Sequence, residues 1–131
     1  MNYLLDTNIC IYLFKAKFDI IEKMRTVGFS QCGISEITLA ELIYGAEKSN
    51  NILKNKRIVE SFADKIDIIP IFDALEIYGK EKARLKTKGT AISDFDLLIG
   101  ATAIKYNLVL VTQNIKEFER MENIKIENWA I

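Results

Sequence analysis

The chain contains no histidine. That absence removes Ser-His-Asp and Cys-His triads, histidine acid–base pairs, and zinc sites that need imidazole. Cysteine is nearly as scarce. Cys10 and Cys32 are far apart inside apolar runs, so they read as small buried residues of a reducing compartment, not as a disulfide framework. Neither sign of charge is in excess: Lys plus Arg is 18 and Asp plus Glu is 18. With no global basic field to hold nucleic acid, any RNA or DNA contact must be local. No window approaches ~18 uncharged apolar residues, and Tyr3-Leu4-Leu5 meets Asp6 with no basic stretch before it. Neither a membrane span nor a leader is expected, and the chain is expected to be cytoplasmic. One proline and six glycines are scattered without low-complexity tracts or repeats. With 50% of its 131 residues apolar, the sequence predicts a single domain over 1–131 around one core.

Short apolar runs alternate with helical patterns. Tyr3-Leu4-Leu5 reads as a buried strand running into the polar cluster Asp6-Thr7-Asn8. A helical stretch follows to about Arg25, and Cys32-Gly33-Ile34-Ser35 suits a second strand. The spacing predicts helices over 36–46 and 51–63, a third strand at Ile66-Asp67-Ile68-Ile69 closed by Pro70, and a long amphipathic helix over 73–88 broken at Gly89-Thr90. Another helix is expected over 94–106, then the strongest strand signal, Leu108-Val109-Leu110-Val111-Thr112. A short helix over 115–121 and a strand at Ile124-Lys125-Ile126 complete the pattern. The expected fold class is α/β: a three-layer α/β/α domain with a central, mainly parallel sheet of four to five strands and right-handed crossovers.

In such a sheet, ligands bind at the carboxyl ends of the strands. Asp6 follows the first strand. Thr38 and Glu41 lie in the first turns of the helix after the second, Asp94 and Asp96 open the helix that leads back to the 108–112 strand, and Asn114 and Glu117 follow that strand. Topology therefore brings five carboxylates and one amide to a single edge. Carboxylates held together repel one another unless a cation offsets them. Oxygen donors without imidazole or thiolate select Mg²⁺, with Mn²⁺ as a substitute, and these ions bridge to phosphate oxygens. The matching reaction class is metal-assisted phosphodiester hydrolysis. Thr7, Asn8 and Thr112 are placed to position water or phosphate.

Each residue also has a plainer reading. Asp6 is a natural helix cap, and Thr38-Leu39-Ala40-Glu41 and Ser93-Asp94-Phe95-Asp96 both match capping boxes. Asn114 suits a turn, and Glu117 competes with Glu119 as plain surface. What favours a site is the common edge, together with Glu41 set among Leu39, Ala40, Leu42 and Ile43, and Asp96 between Phe95 and Leu97. Lys80, Arg84 and Lys88 recur every four residues on one helix face, which could hold an RNA backbone. Interleaved with Glu76 and Glu81, the same face reads as a solvated surface, the commoner meaning of such a pattern. A haloacid-dehalogenase-like phosphatase would need an acid where Asn8 stands. A response-regulator receiver would need one where the third strand ends in Ile69-Pro70.

Three blocks carry a family resemblance: Leu4-Leu5-Asp6-Thr7-Asn8, the run Ile34-Ser35-Glu36-Ile37-Thr38-Leu39-Ala40-Glu41-Leu42, and the run from Gly89 to Ala103 followed by Leu110-Val111-Thr112-Gln113-Asn114. Together with Ile126-Glu127-Asn128-Trp129 they resemble the PIN-domain family, specifically the VapC toxins of bacterial type II toxin–antitoxin pairs. The resemblance covers nearly the whole chain with its blocks in order. It implies an Mg²⁺- or Mn²⁺-dependent endoribonuclease whose catalytic metal ligands match Asp6, Glu41 and Asp96, with Asp94 as a neighbouring acid. Many PIN domains carry Asp where Asn114 stands, and in some VapC-like sequences that acid falls instead where Glu117 stands. Ala91 replaces a proline often found in that loop. The resemblance further implies a homodimer, a VapB-type antitoxin whose C-terminal segment blocks the site, and a tRNA or rRNA substrate. The alternative is a non-catalytic PIN-like binding module.

Overall fold

The computed structural model describes residues 1–131. Five strands form one sheet: β1 (Tyr3–Leu5), β2 (Cys32–Ser35), β3 (Asp67–Ile69), β4 (Val109–Val111) and β5 (Lys125–Glu127), in the order β3-β2-β1-β4-β5. Every pairing is parallel. Seven helices connect them: α1 (Thr7–Phe14), α2 (Ile20–Val27), α3 (Glu36–Glu47), α4 (Ile52–Ala63), α5 (Leu75–Thr87), α6 (Asp94–Lys105) and α7 (Ile115–Phe118). None is long and apolar enough to cross a membrane.

Alternate residues of a strand face opposite sides of a sheet, and β1 shows the consequence. Leu5 joins Cys32, Ile34 and Val111 in a core with Ile9, Ile20, Leu42 and Val59, which belong to α1 through α4. Leu4 joins Leu110 in a second core with Leu85, Leu97, Ile99 and Phe118, which belong to α5 through α7. Connections that step from β1 towards β3 therefore run over one face, and those that return through β4 to β5 run over the other. Reversing both the direction and the face keeps one crossover hand, as right-twisted strands require. The reversal falls between β1 and β4, the place where sheets of this kind bind ligands beyond their strand ends.

The expected single helix after β1 is two. Ala16, Phe18 and Asp19 adopt φ values of 54°, 58° and 52°, a left-handed run that no α-helix can traverse. The helix expected from Asp73 begins instead with a 3-10 turn over Phe72–Ala74. Thr38 is not a cap: Ser35 caps α3, accepting the Ile37 N–H at 3.1 Å, and Thr38 lies fully buried inside the helix. Ser93 does cap α6, accepting the Asp96 N–H at 3.4 Å.

Gly100 sits where α6 presses on the segment after α7. A Cβ there would fall 2.4 Å from Met121 Sδ, and Met121 is itself buried. Gly100→Ala should therefore lose about 1–3 kcal/mol to overpacking, less the ~1 kcal/mol that alanine gains in a helix. Paired with Met121→Ala, it should be less destabilising than the sum of the two single changes, because each makes room for the other. Urea denaturation of the four proteins checks this, and strict additivity would show that the two residues do not compete for space.

Candidate functional site

The site is built around the residue that ends β1. Asp6 is only 3% exposed, although it is a carboxylate. Its Oδ1 accepts the Thr7 N–H at 2.8 Å, so it does cap α1. Its Oδ2 accepts the Thr112 hydroxyl at 2.7 Å and the Asn8 amide at 3.3 Å. Thr112 in turn accepts the Asn114 N–H at 3.0 Å, and the Asn8 carbonyl oxygen accepts the Gln113 N–H at 3.4 Å. The ends of β1 and β4 are thus stitched together through Asp6, Asn8 and Thr112.

Glu41 reaches the same edge from the second turn of α3. The Thr7 hydroxyl donates to Glu41 Oε1 at 2.6 Å and lies 3.1 Å from the Thr38 hydroxyl. Asp96 arrives from the first turn of α6 and Glu117 from α7. Burial pushes the Asp6 carboxyl up to about 6, with Asp96 and Glu41 adding repulsion against the opposing hydrogen bonds from Thr112 and Thr7. None of these influences is a positive charge. The Glu117 carboxyl is also raised, first by burial and then by Asp96, which stands within hydrogen-bonding reach; Arg120 and the Ser93 N–H act the other way. Two neighbouring carboxyl groups repel each other when both are charged.

Asp6, Glu41, Asp96 and Glu117 therefore share one neighbourhood. Asp94, expected as an additional metal-binding acid, does not join them. It is exposed on the α5 side, paired with Lys82 Nζ at 2.7 Å and accepting the Tyr78 hydroxyl at 2.9 Å, and these two hold its carboxyl below the usual range. Of the expected RNA-holding face, Lys80 and Lys88 stay exposed while Arg84 is half-buried. Lys80 pairs with Glu76 at 3.1 Å, and Arg84 turns inward to Glu81 at 2.6 Å. The i,i+4 spacing places residues on one face but does not tell which neighbours capture them. Asn114 supplies its backbone N–H to Thr112, and its side chain makes no cap to α7. Arg120, one turn beyond Glu117, belongs to no motif or periodic pattern that would mark it in the sequence.

The donors suit a hard cation. They are carboxylates, hydroxyls and an amide, with no imidazole in the chain. Burial drives the Cys10 thiol far above its ordinary value and the Cys32 thiol up to about 11, so neither offers a thiolate. No three carboxylates close on a single point as a ready-made cage. Mg²⁺ does not require one, since it is commonly held by one or two carboxylates and keeps its waters. A buried carboxylate facing others with no positive charge beside it fits that ion.

The cation-free protein should lose stability as pH rises. Asp6 titrates near 6 when folded against an ordinary 3.8, so folding takes up a proton between those values. The contribution is fully present below about pH 4 and is lost as pH climbs through about 6, by up to about 3 kcal/mol. Melting in EDTA from pH 4.5 to 7.5, compared with Asp6→Asn to isolate this group, checks it. The fall should shrink with saturating Mn²⁺, and identical profiles for the two proteins would contradict it.

The PIN domain profile matches residues 3–124. The chain is 39% identical to a Salmonella typhimurium protein named tRNA(fMet)-specific endonuclease VapC, with 99% of each covered. It is 38% identical to Ribonuclease VapC2 of Rickettsia felis, with 98% of each covered. Among solved structures, DNA-bound VapBC from Salmonella typhimurium superimposes with a TM-score of 0.92 at 39% identity, covering 98% of both chains. VapBC2 from Rickettsia felis, bound to a promoter DNA fragment, gives 0.90 at 37% identity, covering 98% of this chain and 99% of that one. With its edge acids set at the β1–β4 reversal and these likenesses running its full length, the chain belongs to the PIN-domain family, within its VapC branch.

Proposed function

We propose that this protein is a divalent-cation-dependent endoribonuclease, the toxin of a toxin–antitoxin pair, which hydrolyses phosphodiester bonds in tRNA or rRNA. The observation that carries the reading is the convergence of Asp6, Glu41, Asp96 and Glu117 at the sheet's reversal, in a chain of the VapC branch. A Salmonella relative named for cleaving tRNA(fMet) supports tRNA as the substrate class. Bare acids would repel an RNA phosphate, so the site needs a positive partner to admit one.

Asp6 and Asp96 would hold the principal Mg²⁺ or Mn²⁺, Glu41 would complete or orient its surroundings, and Glu117 or Asn114 would support a second, weaker position. A bound cation would supply the charge that acidifies a water and offsets the scissile phosphate. The chain's own part is preorganisation. Thr7 N–H, Thr112 and Asn8 leave the Asp6 carboxylate little freedom to rotate, and the Thr7 hydroxyl does the same for Glu41. Donors fixed before substrate arrives need no reorganisation during the reaction.

A VapB-type antitoxin is part of the same reading, since the similar solved structures are VapBC complexes. A depression of about 780 Å³ lies away from the acids. It is lined by Leu13, Phe14, Ile21, Leu53, Ile58 and Phe62, with Lys54, Arg57 and Lys65 around it. An apolar peptide segment carrying acidic residues fits that surface. Homodimer formation enters by family likeness.

Asp96→Asn should cut the rate of RNA cleavage by at least about 100-fold while leaving the far-UV spectrum and the melting point in EDTA close to wild type. The assay is cleavage of total tRNA and rRNA by antitoxin-free protein with Mg²⁺ or Mn²⁺, beside an EDTA control. Discrete fragments that persist undiminished in Asp96→Asn or in EDTA would overturn the assignment.

A further inference from the structure

The Asp96–Glu117 half of the site stands on weak local structure. α7 is a single turn of four residues, too short to hold its own geometry. The chain entering α6 from Thr90 to Ser93 has no regular structure. Burial of Ile92, Phe118 and Met121 holds both segments against the core, but apolar contact is not directional.

A polar circuit from α5 supplies direction. Glu81 is 7% exposed, and its carboxylate takes Arg84 through two bonds, Nε to Oε2 at 2.6 Å and Nη2 to Oε1 at 2.9 Å. Oε1 also accepts the Glu122 N–H at 2.7 Å. Arg84 Nη2 continues to the Arg120 carbonyl at 2.7 Å, so the pair grips the chain after α7 at two backbone points. The Arg120 N–H meets the Glu117 carbonyl at 3.4 Å, and its guanidinium donates to the Ala91 carbonyl at 3.3 Å. From Ala91 the chain runs two residues to Ser93, the cap of α6, whose N–H faces the Glu117 carboxylate. The circuit thus begins on a three-turn helix and closes around the two segments that carry Asp96 and Glu117. A buried ion pair adds little net stability over an apolar pair of equal volume, whereas its directed bonds specify geometry.

We propose that Glu81 and Arg84 are positioning residues for the reaction: by gripping the Arg120 carbonyl and the Glu122 N–H, they set the separation of Asp96 and Glu117 and so the tightness with which that pair takes a divalent cation. This rests on the cation-dependent reading of the site. Neither residue bonds to Asp96 or Glu117 directly. Arg84, spaced in sequence as part of an RNA-holding face, works from behind the site.

The test uses the full chain as wild type, Arg84→Met, Arg84→Lys and Glu81→Gln. Three quantities are read: the melting point in EDTA, the Mn²⁺ concentration giving half of the thermal shift, and kcat and KM on an RNA that wild type cleaves. Arg84→Met should raise the Mn²⁺ midpoint about 10-fold and lower kcat, with KM little changed. Arg84→Lys keeps the charge without the fork and should fall between. Glu81→Gln keeps an acceptor for the Glu122 N–H but loses the charge, and should also raise the midpoint. Should Arg84→Met fail to fold, the other two variants carry the same readout. Variants that melt lower yet titrate at the wild-type Mn²⁺ midpoint would reduce the pair to a structural clamp and overturn the inference. A wild type with neither a Mn²⁺ response nor cleavage would instead remove the reading on which it rests.

Discussion

A carboxylate taken out of water at the end of a central strand is unfavourable unless something favours its charge, and Asp6 is such a group. The surroundings respond with directed donors in place of an opposite charge. Thr7 N–H, Thr112 and Asn8 meet its two oxygens, and α1 begins there with its positive end towards the carboxylate. α3 starts where β2 ends, and α6 starts beside the end of β4, so further helix N-termini face the same edge. They favour negative charge without neutralising it. What remains is a set of acids whose charge the surrounding protein leaves unneutralised.

The two halves of the site are held differently. Asp6 and Glu41 stand on the end of β1 and on a three-turn helix, joined through the Thr7 hydroxyl, with Thr38 buried behind it. Asp96 and Glu117 stand on a helix entered from irregular chain and on a single turn. The first half takes its geometry from the sheet. The second takes its direction from side chains that reach over from α5, which is why Arg84 matters to a site it does not enter.

Much of this was legible in the residues. Short runs of three to five between helical patterns gave all five strands: nearly continuous apolar runs for the central β1 and β4, and runs interrupted by Asp67 and Lys125 for the exposed edge strands β3 and β5. The acids at one edge followed from the alternation of strands and helices alone. The break between α1 and α2 was not legible. Ala16 and Phe18 take left-handed conformations without the glycine or proline that ordinarily marks such a turn. Thr38-Leu39-Ala40-Glu41 matched a capping box, but Ser35 three residues earlier had already capped the helix. Asp94 looked like a partner of Asp96. Residues two apart on a helix do not face each other, and Lys82 on the neighbouring helix captured it.

By itself the sequence determined which residue types could do chemistry and on which edge they would gather. Without histidine or available thiolates only oxygen donors remain, and period and strand order are local properties of the chain. The family blocks lie in order along that same string. Tertiary structure decided which acids meet, which cations are already engaged, and which side chain directs which segment. Those depend on contacts between residues distant in sequence: Thr112 with Asp6, Thr7 with Glu41, Arg84 with the Arg120 carbonyl. A helix face can be read from spacing, but what lies opposite it is settled only when the layers pack.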